Sequence, residues 1–354
     1  MQRWDCFTAE RSELDVVFGK VCVDLEPGQE LVLRLQKERE KLPAYQQHLA
    51  GKTALLGQPK SYCLDEDNVL VLDKGDLIVD GCLLAQELEV LELDRILRRH
   101  LGMEQRGGEM IQPWAREKTD TIYKRITLRY SVPVEKLPTG PVTLAAEVLP
   151  EMEMRINGRE VILENSDCLW VDQCYTVYVL PKDVWQLGRN TLEITALYSQ
   201  GEGLESMFLL GAFGVWLRDG VYCIGALPPK IRNGNLVKQG LPFYSGKITY
   251  IYDLPEHGTF CLRLPAIGGS CAVVNCNGME HMIPWTWHTP VWENVLAEEI
   301  RIQVVLNRRN TFGPLHKFPL KQPYIAPDSF VCAEAEQYAL YPTGLLKKPE
   351  LIYF

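Results

Sequence analysis

Met154-Arg155-Ile156-Asn157-Gly158-Arg159-Glu160-Val161-Ile162-Leu163 reads as two short strands joined by a two-residue turn. A type I′ turn needs positive φ at both central residues, and Asn-Gly accepts that at little steric cost. The dipeptide returns as Asn277-Gly278, 120 residues later. The surrounding strand-like runs return with it. Ile126-Thr127-Leu128-Arg129-Tyr130-Ser131-Val132 resembles Ile248-Thr249-Tyr250-Ile251-Tyr252-Asp253-Leu254, and Asn190-Thr191-Leu192-Glu193-Ile194-Thr195 corresponds to Glu298-Glu299-Ile300-Arg301-Ile302-Gln303. One order of elements used twice predicts an all-β protein of two tandem jelly-roll sandwiches.

Outward from that repeat, residues 61–226 are expected to form the first sandwich and 227–354 the second. The period changes at residues 83–101, where Leu84, Leu88 and Leu91 and then Val90, Leu93, Leu97 and Leu101 recur at helical spacing. Glu residues come early, Arg residues come late and Gly102 follows, which suits one amphipathic helix inserted in the β domain. Residues 1–60 predict two or three strands around Glu26-Pro27-Gly28-Gln29, then a polar connector over 36–60. These strands are too few for a domain and read as an addition, or as the closing edge of a domain that begins before Met1.

The chain has 354 residues, 46% hydrophobic and 23% charged, the composition of a globular protein. No run approaches the ~20 apolar residues of a membrane span. Met1-Gln2-Arg3-Trp4-Asp5-Cys6 has no apolar core after a basic start, so no secretory signal is expected. A net charge of -9 disfavours general nucleic-acid binding. The 11 cysteines are odd in number and include no Cys-x-x-Cys. Val21-Cys22-Val23, Tyr222-Cys223-Ile224 and Phe260-Cys261-Leu262 predict buried, reduced thiols and a cytoplasmic setting. No His/Cys spacing fits zinc.

Leu306-Asn307-Arg308-Arg309-Asn310-Thr311-Phe312-Gly313-Pro314-Leu315-His316 follows a strand-like run and gathers two arginines, two asparagines and a histidine around a Gly-Pro turn. Guanidinium forks and amides suit oxygen-rich partners such as sugars, or else they tie down the loop's own backbone. Met282-Ile283-Pro284-Trp285-Thr286-Trp287-His288-Thr289-Pro290-Val291-Trp292 adds three Trp. Such rings stack on sugar C–H faces, or they cap a sandwich core. The expected sugar site is therefore Trp285, Trp287, His288, Arg308, Arg309, Asn310 and His316, with Trp114, Trp170 and Trp292 as secondary candidates. Glu205 is a candidate ligand for a structural calcium, or else bonds backbone. No catalytic residue is assigned. Glu202 with Glu205, and Asp167 with Asp172, are pairs in sequence only, and Gly-x-Ser-x-Gly and P-loop patterns do not occur.

Further strings carry a family resemblance: Glu66-Asp67-Asn68-Val69-Leu70-Val71-Leu72-Asp73, Gln112-Pro113-Trp114, Leu204-Glu205-Ser206-Met207-Phe208-Leu209-Leu210-Gly211-Ala212-Phe213-Gly214-Val215, Gly240-Leu241-Pro242-Phe243-Tyr244-Ser245-Gly246 and Arg308 to His316. Together over residues 66–354 they resemble the C-terminal galactose-binding-like sandwiches of bacterial α-L-rhamnosidase-like proteins and of proteins with the sugar-binding domain of glycoside hydrolase family 2. Those enzymes carry an α/β barrel ahead of such modules, and no strand–helix alternation of that kind is present here. The resemblance therefore implies a non-catalytic carbohydrate-recognition region that partners a catalytic glycosidase domain or subunit. The alternatives are a rhamnosidase-like subunit or remnant completing an active site, and a purely structural or dimerising sandwich.

Overall fold

Lys124–Val134 and Gly188–Tyr198 pair antiparallel along eleven residues each and bury every second side chain, the mark of a sheet with one face on a core. They belong to a computed structural model that describes residues 1–4, 11–23, 31–35, 51–106, 123–166, 168–286, 288–316 and 338–354. Around this pair runs the larger sheet of the first sandwich, in the order Arg159–Val161, Glu153–Ile156, Gly188–Tyr198, Lys124–Val134, Val221–Gly225 and Gly214–Arg218. Lys74–Val79 joins it on Lys124–Val134 and carries Cys82–Glu89. The other sheet is antiparallel, in the order Glu164–Ser166, Tyr175–Leu180, Val142–Glu147, Met207–Gly211 and Asn68–Leu72. One apolar core joins the two, with Leu128, Leu144, Leu192, Phe208 and Leu209 at its centre.

The second sandwich has its own core, built on Tyr250, Phe260, Val274, Trp292 and Ile302. One sheet runs Met279–Ile283, Cys271–Cys276, Glu299–Val305, Lys247–Asp253 and Ser61–Leu64. The other runs Val291–Val295, Gly258–Arg263, Glu350–Tyr353 and Lys52–Leu55. Sheet membership thus departs from the boundary expected at residue 61. Lys52–Leu55 lies in the segment read as a connector, yet it pairs with Glu350–Tyr353. Ser61–Leu64 pairs with Lys247–Asp253 of the second sandwich and not with the first. The reason is edge pairing: each strand supplies the outer ladder of a sheet whose other strands lie some 190 to 300 residues away. The first sandwich is therefore inserted between strands of the second.

The helix spans Val90–Leu101, shorter than the expected 83–101. Residues 82–89 instead form a bulged strand on Lys74–Val79, with Glu87 at φ 51°. Glu89 sets the start: its carboxylate accepts from the Leu91 and Glu92 N–H groups, satisfying two donors that have no partner inside a helix. Gly102, at φ 68°, closes the other end. Buried Asp94 and Arg98 pair at 2.8 Å one turn apart. Tyr198 donates to Asp94 at 2.6 Å, while Arg98 reaches the carbonyls of Glu104, Gln200 and Glu202, which anchors the helix to the first sandwich.

Gln2–Trp4 pairs with Arg11–Glu13 and Val32–Arg34 in a separate three-stranded sheet. Cys223 and Cys261 are buried as their apolar runs suggest, but Cys22 is exposed, because the strands around it never join a core. Among the described residues, no helix is long and apolar enough to cross a membrane.

Candidate functional site

The turn after Glu299–Val305 does not open to solvent as a sugar site would. Arg308 grips Glu66 with both guanidinium nitrogens, Nη1 to Oε2 at 2.7 Å and Nη2 to Oε1 at 2.5 Å, and Nη1 also donates to Ser245 Oγ at 3.1 Å. Arg309 lies over the Tyr341 ring, 5.0 Å from its centroid, and burial pulls its guanidinium down. Asn310 is 1% exposed, and its amide is consumed by the backbone of Tyr341, which accepts at 2.8 Å and donates at 2.9 Å. Thr311 Oγ1 donates to the Phe243 carbonyl at 2.7 Å. Phe312 joins the rings of Trp170, Tyr175 and Phe208 of the first sandwich. His316 Nε2 donates to Asp73 at 2.7 Å inside the protein, and its Nδ1 has no partner. Arg308, Arg309, Asn310 and His316 are therefore corrected from sugar ligands to groups that lock this turn to the chain and to the first sandwich.

The tryptophans divide. Trp292 is 0% exposed, stacked with Phe260 and edge-on to His281, so it belongs to the second core. Trp170 is buried within the aromatic cluster just described. Both are corrected from the secondary candidates. Trp285 is 46% exposed and accepts from the His288 N–H in a turn at 3.0 Å. Both residues follow Met279–Ile283, at the edge of its sheet opposite Ser61–Leu64. Ile283 is in register with Ala272, and Ala272 with Val304, so this turn and the turn after Val305 leave the same end of the sheet, two strands apart. Trp287 and Trp114 lie outside the described residues. Glu205 pairs with Arg106 at 2.6 Å, and no group of three or more His, Cys, Asp and Glu suited to a metal occurs among the described residues. Glu205 is thus an ion-pair partner of Arg106.

A cleft of about 400 Å³ opens where the second sandwich hands the chain to the first. Its polar wall is the run Glu66, Asp67 and Asn68 that leads into the strand Asn68–Leu72. Its apolar wall is Tyr62, Leu64, Leu227 and the Pro228–Pro229 pair. Each side chain has a local reason for its place. Arg308 fixes Glu66. Tyr62 donates to the Pro228 carbonyl, and burial pushes its hydroxyl pKa up. Asn68 is buried and gives both amide hydrogens to the carbonyls of Phe213 and Gly240, at 2.8 and 3.0 Å. Its Oδ1 has no partner. Asp67 is exposed at the rim, and partial desolvation raises its carboxyl pKa. Glu66 and Asp67 are chain neighbours on one wall, unlike the two facing carboxylates of glycoside hydrolysis. A larger trough of about 600 Å³ beside Leu149, Met152 and Tyr178 carries Glu151 and Glu202 but no comparably fixed polar wall. The sequence concealed the smaller cleft: Glu66-Asp67-Asn68 is its one local signal, a polar triplet directly ahead of four apolar residues.

No protein family matches the chain, and no curated protein does. Among solved structures it is similar to a β-D-mannosidase from Dictyoglomus thermophilum, at 13% identity and TM-score 0.26 over 67% of this chain and 31% of that one. It is similar to a glycosyl hydrolase family 2 member from Bacteroides cellulosilyticus, at 10% identity and TM-score 0.20 over 52% and 24%. It is also similar to an α-L-rhamnosidase from Streptomyces avermitilis, at 10% identity and TM-score 0.18 over 72% and 42%. The chain spans less than half the length of each.

Proposed function

We propose that the chain is a non-catalytic carbohydrate-recognition region of the kind associated with glycoside hydrolases, and that the cleft between its sandwiches holds the sugar. The observation that carries this reading is the pairing of walls. A sugar ring presents hydroxyls at its edge and C–H groups on its faces. Tyr62, Leu227 and Pro229 offer apolar surface for a face, while Asp67 offers an acceptor for hydroxyls. The volume is within the range of small-ligand sites, and fixed walls reduce the ordering cost of binding. The test is a thermal-shift screen with rhamnose, galactose, mannose and glucuronate on the parent and on Ala212→Phe, which fills the cleft from an exposed position. A sugar at ten times its Kd should stabilise the parent by about 1.4 kcal/mol and leave the variant unmoved. An equal shift in both proteins, or none in either, removes the sugar from this cleft.

A second reading, a structural sandwich that supports a catalytic glycosidase domain or subunit, is favoured by the N-terminal sheet. Phe18, in the turn after Arg11–Glu13, is 98% exposed, and Val17, Val32, Leu33 and Leu35 are exposed as well. If these exposed residues serve assembly, changing Phe18 and Leu35 to Ser alters the mass of the particle measured by light scattering. An unchanged mass counts against self-association.

A further inference from the structure

Five hairpins among the described residues close on a two-residue turn whose second residue is glycine. Four carry Asp or Asn first: Asp80-Gly81, Asn157-Gly158, Asp219-Gly220 and Asn277-Gly278, with that first residue at φ between 48° and 53°. The fifth is Phe18-Gly19, at φ 51° and 75°. It is closed by the Val17 N–H on the Lys20 carbonyl at 2.9 Å and the Lys20 N–H on the Val17 carbonyl at 3.0 Å. Asp and Asn accept positive φ because their short side chains bond locally, whereas a bulky ring there is strained. Phe18 thus carries two costs that Asn would not: the backbone, and a ring 98% exposed to water. Val16 and Val17 are exposed just before it, and Lys20 just after. An apolar knob of this kind gains only where another surface covers it.

The trough on the first sandwich has the complementary character. It lies where the chain crosses between the two sheets, just after Val142–Glu147 and just before Glu164–Ser166, and its volume is about 600 Å³. Exposed Val148 and half-buried Pro150, Met152 and Leu163 give it apolar walls, and Glu151 and Glu202 stand among them. Arg125 reaches Glu153 at 2.8 Å but Glu151 only at 3.8 Å, and among the described residues no Lys, Arg or His pairs with Glu202. We propose that this trough receives the Phe18 turn of a second copy of the chain, with the ring against Val148, Met152 and Leu163 and Lys20 toward Glu202. The inference rests on the self-association reading of the exposed N-terminal residues and adds the surface they meet. Knob and trough are different patches, so the contact runs head to tail, and an open pair keeps one unused knob and one unused trough.

The test is analytical ultracentrifugation of the full chain over a concentration series, with two variants. Phe18→Asn installs the kind of residue the other four turns use, so its urea midpoint should match or exceed that of the parent. Val148→Glu places a charge on the exposed wall of the trough, and urea unfolding with the parent's slope shows that it is folded. The mass of the parent is expected to rise with concentration, while each variant alone stays monomeric. An equal mixture of the two variants should give a particle of twice the monomer mass, since one brings an intact trough, the other an intact turn, and neither can extend the pair. A mixture that stays monomeric overturns the pairing of turn and trough. Val148→Glu associating like the parent overturns the trough and leaves assembly through Phe18. Phe18→Asn associating like the parent overturns the knob and leaves self-association through another face. A parent of monomer mass at every concentration overturns the second copy together with the self-association reading.

Discussion

Glu89 shows how a single carboxyl ties this fold to pH. It is 5% exposed at the start of the helix Val90–Leu101, close to Asp73, while Tyr130 and Tyr338 feel the charge of both carboxylates. Burial first, and the nearby Asp73 second, push its pKa from 4.5 to about 8, against the opposing pull of the Leu91 and Glu92 N–H groups. The folded protein therefore holds this proton more tightly than the unfolded chain. The contribution to stability is complete below the ordinary glutamate range and is lost as pH rises from about 4.5 toward 8. Urea unfolding should show a fall of the order of a few kcal/mol across that window. Glu89→Gln keeps an acceptor for the helix N–H groups but carries no titratable proton, so its profile should lie flatter across the same window. A variant with the slope of the parent would show that another group titrates there.

At the scale of the element, the two Asn-Gly turns make a clean comparison. Asn157 and Gly158 adopt φ of 51° and 77°, and Asn277 and Gly278 adopt 53° and 76°. A Cβ on either glycine would meet nothing within 4 Å, so substitution there changes the backbone cost alone. Gly158→Ala and Gly278→Ala should each lose about 1–2 kcal/mol, as a lower urea midpoint with an unchanged slope. A loss well above that range would mean that the turn contacts something beyond its own strands. These hairpins were legible in the sequence because their chemistry is local to four residues. The helix was legible in its second half only. Leu84 and Leu88 fit a helical period, but a bulged strand can place the same residues, and the Glu89 cap decides where the helix begins. Lys52–Leu55 and Ser61–Leu64 were not legible as parts of the second sandwich, since nothing near them in the chain names Glu350–Tyr353 or Lys247–Asp253 as partners. The site was hidden for the same reason. Arg308 and His316 stood out as unusual chemistry, but the carboxylates that consume them, Glu66 and Asp73, lie 242 and 243 residues earlier.

Across the whole molecule, the question is what makes two separate cores behave as one body. The path of the chain supplies one coupling: the second sandwich takes edge strands from before residue 65 and the rest from after residue 246, so a folded first sandwich between them lowers the loop-closure cost of bringing those parts together. The turn 308–316 supplies the other, through Arg308 on Glu66, Phe312 among Trp170, Tyr175 and Phe208, and His316 on Asp73. The two couplings respond differently to mutation. Phe312 is 37% exposed, with ring centroids 5.3 to 5.8 Å from those three neighbours, so Phe312→Ala should cost about 2 kcal/mol, below the usual range for a fully buried phenylalanine. It removes a contact between the cores and leaves each core intact. If the turn is what couples them, calorimetry of Phe312→Ala combined with Arg308→Met should show two heat-absorption peaks where the parent shows one, because a break in the interface lets the weaker sandwich unfold alone. If chain path is what couples them, the double variant should melt earlier but still in a single peak, since the inserted sandwich would continue to hold the edge strands of the second in register.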